Sequence, residues 1–162
     1  MVEKKAAQHK VNQLQARLQD VSKASLVSKI VSLIERDAPV NELYFVRDEL
    51  LLSLEGQKSV QLLIPKQGQE GKIFYKITPW DYNKDDQTPI SQSLNNLFRP
   101  KEEEQKRFRT LLREQESFAS VGRHHIRVFQ PVTKAGQIQL ILLLDTGRSV
   151  DSAYLMSRRK WD

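Results

Sequence analysis

The sharpest chemical signature in the chain is Leu142-Leu143-Leu144-Asp145-Thr146-Gly147, an apolar run entering Asp-Thr-Gly. Retroviral-type aspartic proteases place a catalytic carboxylate in this way, but that chemistry needs two such aspartates sharing one proton. Here Arg148 stands where a small residue is expected, and the 15 residues after Gly147 are too few for a flap and a second half-domain. The segment reads as a strand ending in a turn. His124 and His125 are adjacent, so on a strand they point to opposite faces and cannot chelate one metal ion together. His9 lies far off in sequence and cysteine is absent, which leaves no zinc-type ligand set. No His-Glu-x-x-His, phosphate-binding loop, G-x-G-x-x-G or nucleophile elbow occurs. Glu102-Glu103-Glu104 fits the first turn of a helix better than an acid/base pair. The expectation is a protein with no catalytic residues, no bound metal and no enzymatic activity.

What remains is surface chemistry. Arg158-Arg159-Lys160-Trp161, with Trp80 and Tyr82 in a loop, combine aromatic and basic groups that can stack bases and neutralise phosphate. Lys4, Lys5, Lys10 and Arg17 add a basic face near the start of the chain. Across 162 residues Lys and Arg number 26 against 20 Asp and Glu, a net charge of +6. Half of that excess falls in residues 1–25, with five basic and two acidic side chains. These seven cations, Lys4, Lys5, Lys10, Arg17, Arg158, Arg159 and Lys160, are the candidate anionic-surface-binding set, for a membrane or a nucleic acid. A hydrophobic content of 39% supports a modest core. The absence of cysteine excludes a disulfide framework, and no apolar run is long enough for a membrane-spanning helix. A soluble, cytoplasmic protein is expected, with no signal peptide at its start.

The elements that must carry these groups begin with a helix. Val11, Leu14, Leu18 and Val21 recur at spacings of three and four, and Leu26, Ile30, Leu33 and Ile34 extend the stripe. Residues 4–37 therefore read as helix, broken near Ser22–Ser25, with Ser22 or Ser25 capping the second segment. Asp37-Ala38-Pro39 ends the pattern. Leu43, Val46, Leu50 and Leu54 predict a return helix over 40–54, with Asn41 as its N-cap and Gly56 as a left-handed cap. The outcome is a helical hairpin over residues 1–56. Its apolar stripe, Val11, Leu14, Leu18, Leu26, Ile30, Leu33, Leu43, Val46 and Leu50, is the candidate partner-binding face.

Beyond Gly56 the pattern shifts. Val60–Ile64 and Ile73–Ile77 read as strands around a turn at Gln67–Gly71, with Tyr75 on the same face as Ile73 and Ile77. Ile90–Phe98 reads as a short helix, and Pro100 opens a stronger one carrying Phe108, Leu111, Leu112 and Phe118 on its core side. His124–Val132 and Gln137–Leu144 predict two strands joined antiparallel through Thr133–Gly136, the second buried on both sides. Residues 57–162 would thus form a small mixed or antiparallel sheet domain with one or two helices. The fold class is α+β.

The segment Leu33-Ile34-Glu35-Arg36-Asp37-Ala38-Pro39, continuing through Val40–Tyr44 to Phe45-Val46-Arg47, resembles the helix–turn–helix of IcmQ, a cytoplasmic component of Dot/Icm type IVB secretion systems. Arg99-Pro100 leading into the charged helix Lys101–Leu112 is similar too, as is the strand Ile138–Leu144 with its charged turn and basic C-terminus. The chain departs from that family in a shorter middle and in Val40 where a tryptophan is expected. The resemblance implies an N-terminal helical module that binds a chaperone-like helical protein and associates peripherally with the inner membrane. It further implies a C-terminal module similar to ADP-ribosyltransferase-like folds that binds NAD without turnover. No residue here matches a nucleotide motif, so no NAD contact is assigned. Sequence reasoning therefore favours a non-enzymatic interaction protein of a secretion apparatus, ahead of a basic nucleic-acid-binding accessory protein.

Overall fold

The computed structural model describes residues 2–66 and 73–146. Three helices come first: α1 (Val2–Leu18), α2 (Val21–Glu35) and α3 (Val40–Ser53). Strands β1 (Ser59–Pro65) and β2 (Phe74–Ile77) follow, then single 3₁₀ turns at Ile90–Ser93 and Glu102–Glu104. Helix α4 (Gln105–Glu114) and strands β3 (Phe118–Val121), β4 (Ile126–Lys134) and β5 (Gln137–Asp145) complete an α+β fold. The sheet is antiparallel throughout in the order β2-β1-β5-β4-β3, which places β5 at its centre as the apolar run of Leu140–Leu144 requires. Among the described residues, no helix is long and apolar enough to cross a membrane.

Strand alternation divides the core into two layers. One face presents Val60, Leu62, Ile64, Ile126, Val128, Leu140, Leu142 and Leu144 to the helices α1–α3. The other presents Leu63, Phe129, Ile141 and Leu143 to α4, which contributes Phe108 and Leu111. On that side the Phe74, Phe98, Phe108, Phe118 and Phe129 rings form an aromatic cluster, with Phe118 stacked on Phe129 at 4.5 Å between centroids. The helical segment and the sheet thus share a single buried layer.

Several local expectations are corrected. The first two helices part at Gln19–Asp20, and Asp20 is the N-cap in place of Ser22 or Ser25. Its carboxylate accepts from the Ser22 amide at 3.0 Å and the Ser22 hydroxyl at 2.8 Å. Asn41 lies inside α3, whose N-cap is Pro39. The first amides there donate to the backbone of the 78–88 loop, Val40 N to Thr88 O at 2.8 Å and Asn41 N to Asp86 O at 3.0 Å. Gly56 does take a left-handed conformation (φ 81°) just beyond the helix. Ile90–Phe98 is helical only over Ile90–Ser93, because residues 96–98 instead run along the outer edge of β2. There Lys76 N donates to Asn96 O at 2.7 Å and Phe98 N to Phe74 O at 2.9 Å, which covers an otherwise open strand edge.

In β2, Phe74 and Ile77 are buried while Ile73 is exposed, so a clean two-residue alternation fails in this four-residue strand. Phe118 belongs to a strand that the sequence reading missed, since α4 ends at Gln115 in the left-handed region (φ 59°). The histidines precede β4, which begins at Ile126. The hairpin between β4 and β5 turns on Ala135 (φ 54°) and Gly136 (φ 77°), the signature of a two-residue type I′ turn. Gln67–Gly71 lies outside the described residues.

Candidate functional site

The nine apolar residues expected to meet a partner are packed inside the chain. Val11, Leu14, Ile30, Leu33, Leu43, Val46 and Leu50 are buried, and Leu18 and Leu26 are half-buried against the same cluster. The physical reason is the helix-facing row of β1, β4 and β5, which matches the stripe in chemistry and extent. In this fold that stripe is core, with only the partly exposed Leu18 and Leu26 reaching the surface. The basic set does not converge either. Lys5 is exposed and Lys10 half-buried on α1, while the Arg17 guanidinium donates to the Glu55 carbonyl at the end of α3. The Lys4 side chain and residues Arg158, Arg159 and Lys160 lie outside the described residues.

Exposed apolar groups gather elsewhere. On α3, Phe45 is 60% and Leu52 86% exposed, seven residues apart and so on one helix face, opposite Leu43, Val46 and Leu50. The 78–88 loop runs alongside α3 and presents Trp80 at 87% and Tyr82 at 59% exposure. This loop is firmly held. Arg47, itself only 1% exposed, donates through Nη1 to the Thr78 and Asp81 carbonyls, each at 2.7 Å. Its Nε and Nη2 engage Asp48 Oδ1 at 3.0 Å, and its guanidinium carbon lies 5.3 Å from the centre of the Tyr44 ring.

Within the loop, Asp81 Oδ2 accepts from the Thr78 amide at 2.8 Å and the Thr78 hydroxyl at 3.0 Å, closing the turn that carries Trp80. Asn83 and Asp86 close two further turns through the amides of Asp85 and Thr88. Asn41 Nδ2 donates to Lys84 O at 2.8 Å and ties the loop's middle to α3. A hollow of about 280 Å3 opens between Phe45, Tyr82, Asn41, Glu42 and Lys84. The surface is thus held by the chain's own hydrogen bonds.

Electrostatics set the character of this face. The Tyr44 phenol, 6.5 Å from the Tyr82 ring, is pushed above its ordinary pKa by burial first, then by the charges of Asp81 and Asp86, with Arg47 opposing. The Asp86 carboxyl is held below the usual carboxylate range by the Thr88 hydroxyl and then by the Thr88 amide, so this carboxylate stays ionised at neutral pH. No family model, curated protein or solved structure matches this chain.

The segments singled out for chemistry fall in structural roles where they are described. Asp145 ends β5 opposite Arg127 and Ser59, and Thr146 donates its hydroxyl to Ile126 O at 3.0 Å, tying that strand end to β4. Glu104 alone of the three consecutive glutamates is buried. Its Oε1 accepts from Lys101 N at 3.0 Å and meets Arg127 Nη2 at 3.4 Å, so it anchors the entry to α4. His125 O accepts from Gly122 N at 2.8 Å in the turn between β3 and β4. The sequence singles out Trp80 and Tyr82 by type, and Phe45 and Arg47 only within the motif Phe45-Val46-Arg47, with no exposed role for Phe45 or Leu52 and no anchoring role for Arg47. A signal for Phe45 and Leu52 was present: apolar residues on the back of a helix whose front already filled a core.

Proposed function

We propose that this chain is a non-enzymatic interaction protein that docks a protein partner on α3 and the adjoining 78–88 loop. In line with the resemblance to IcmQ, the partner is a chaperone-like helical protein and the setting a type IVB secretion apparatus. The observation that supports this reading is Trp80, 87% exposed on a turn that a fully buried arginine holds in place. Tryptophan removes more apolar surface from water on binding than almost any other side chain, and exposed tryptophans on ordered surfaces are typical binding hot spots. Phe45, Leu52 and Tyr82 extend the patch, and each contributes on the order of 1.5–3 kcal/mol when fully desolvated. Because the loop is already ordered, less of that energy is lost to freezing it on association.

The test is affinity capture of the full chain from its native cells with mass spectrometry, run alongside Trp80→Ala, Leu52→Ala and a control at an exposed apolar position elsewhere, Val21→Ser. The reading expects a helical partner retained by the wild type and by the Val21 variant and lost by the other two. Recovery of secretion components would support the wider assignment. Identical captures from all four proteins would refute the docking face.

A further inference from the structure

Resting on that reading, we infer that the partner segment seated on this face is a lysine- and arginine-rich amphipathic helix. Residues 40–56 carry Glu42, Asp48, Glu49 and Glu55 against Arg47, and residues 78–88 carry Asp81, Asp85 and Asp86 against Lys84. Seven carboxylates against two cations give these two segments −5 in a chain whose total is +6, and the bordering Arg17, Lys29 and Arg36 bring the face to −2. The face around the exposed aromatic groups is net acidic in a basic protein. Such segregation steers a cationic partner to this face and turns anionic ones away.

The geometry sharpens the partner's shape. Phe45 and Leu52 lie about 10 Å apart along the α3 axis, two helical turns, which matches residues i and i+7 of a facing helix. Asp48 and Glu49 stand between them at helical spacings of three and four, flanking the stripe. Asp48 is engaged with Arg47, and Glu42 lies 3.7 Å from Arg36. Among the described residues the Glu49, Glu55 and Asp85 carboxylates have no hydrogen bond or ion pair, so they are available to a partner's cations. Lys29 and Lys84 border the hollow beside Phe45 and Tyr82, so that end takes an apolar side chain and the partner's cations align with the middle and far end of α3. Nucleic acid fits poorly: bases could stack on Trp80 and Tyr82, but the phosphates would lie among the carboxylates.

The experiment uses the full chain and two labelled synthetic peptides of about 20 residues, long enough to form a helix on a surface. One carries leucine on one face and lysine on the other, and its mirror carries glutamate in place of lysine. A single-stranded oligonucleotide is a third probe, and binding is read by fluorescence anisotropy across a salt series. The leucine–lysine peptide is expected to bind at least about ten-fold more tightly than its mirror, and to weaken as salt shortens the screening length. Trp80→Ala removes that binding. The combined change Glu49→Lys, Glu55→Lys and Asp85→Lys, at one half-buried and two exposed positions, reverses the preference between peptides while circular dichroism shows the fold retained.

Equal binding of both peptides, a preference untouched by the triple change, or tighter binding of the oligonucleotide would overturn the inference. So would self-association of the chain that Trp80→Ala abolishes, because the occupant would then be a second copy. If both peptides bind alike and Trp80→Ala weakens both, the docking face stands and the charge argument alone fails. If Trp80→Ala changes neither peptide binding nor partner capture, both fall.

Discussion

Replacing Arg47 by methionine keeps most of the aliphatic stem and removes every donor, which isolates what the guanidinium contributes. Two carbonyls, those of Thr78 and Asp81, lose charge-assisted hydrogen bonds of 2.7 Å. Bonds of this kind contribute about 1.5–3 kcal/mol each, so the intact pair sets an upper bound near 6 kcal/mol. The loop lies on the surface and can swing outward to rehydrate its carbonyls, which lowers the loss. The Asp48 partner is 45% exposed and adds at most about 1 kcal/mol. The expected destabilisation of Arg47→Met is therefore about 2–4 kcal/mol.

Arg47→Lys tests the fork specifically, since an ammonium cannot serve two carbonyls in the geometry of a planar guanidinium. It should recover no more than about half of the loss. Urea denaturation followed by circular dichroism gives the global term. Amide exchange at Thr78 and Asp81, with the anisotropy of Trp80 fluorescence in a Trp161→Phe background, reports on the loop itself. Protection at Thr78 should collapse and Trp80 should gain mobility in both variants. A loss below about 1 kcal/mol with unchanged exchange at Thr78 would show that the turn holds itself through Asp81, and that Arg47 does not anchor it.

Three further outcomes are expected. Ala135→Asn places Asn-Gly in the type I′ turn between β4 and β5, relieving an alanine at φ 54°, and should raise stability by about 1 kcal/mol in chemical denaturation. Gln130 sits between Val128 and Val132 on the helix-facing side of β4, and its buried Oε1 lacks a protein partner while Nε2 donates to Pro131 O at 3.2 Å. Gln130→Leu should therefore stabilise by about 1 kcal/mol, and a lower melting temperature would show that the amide is well solvated in the cleft beside α2. Tyr44 keeps its proton more tightly folded than unfolded, so its contribution is complete below the unfolded pKa near 10 and is lost as pH rises through the folded value. Tyr44→Phe should flatten the alkaline limb of the stability–pH curve, and an unchanged limb would contradict the raised pKa.

Legibility in the sequence followed the strength of each local signal. Helices α2 and α3 and strands β1 and β5 were readable because their apolar residues repeat at a single period over two or more turns, or fill a run too apolar for a surface. Strand β3 was not, because Phe118-Ala119-Ser120-Val121 is only four residues long and follows a helix with no proline or glycine between them. The left-handed Gln115 that separates them carries no compositional mark, since glutamine seldom adopts that conformation. Ile90–Phe98 misled for the opposite reason: its helical spacing is real, but pairing with the open edge of β2 outweighs one further turn of helix.

The proposed docking face was half legible. Trp80 and Tyr82 stood out by type, with Asp81, Asp85 and Asp86 beside them in sequence, but Glu42, Asp48 and Glu49 come from α3, more than thirty residues before Trp80, and that juxtaposition exists only in three dimensions. Arg47 reads in sequence as one more surface cation. Its burial depends on backbone carbonyls that no side-chain pattern reveals.

The position of the apolar stripe decides how a partner can engage the helices. If α1–α3 were to leave the sheet and wrap a partner, the seven buried stripe residues would be uncovered together with eight aliphatic side chains of β1, β4 and β5. At roughly 1.5–3 kcal/mol for each fully buried aliphatic side chain, the exposure exceeds the 5–15 kcal/mol by which an entire domain is ordinarily stable. A partner acting on the stripe would have to rebuild a core of that size from its own residues and also cover the bared sheet. One that acts on Phe45, Leu52, Trp80 and Tyr82 uncovers nothing, because those groups already face water. For the proposed partner, energetics therefore favour the outer side of α3, where the helix's inner side remains part of the fold.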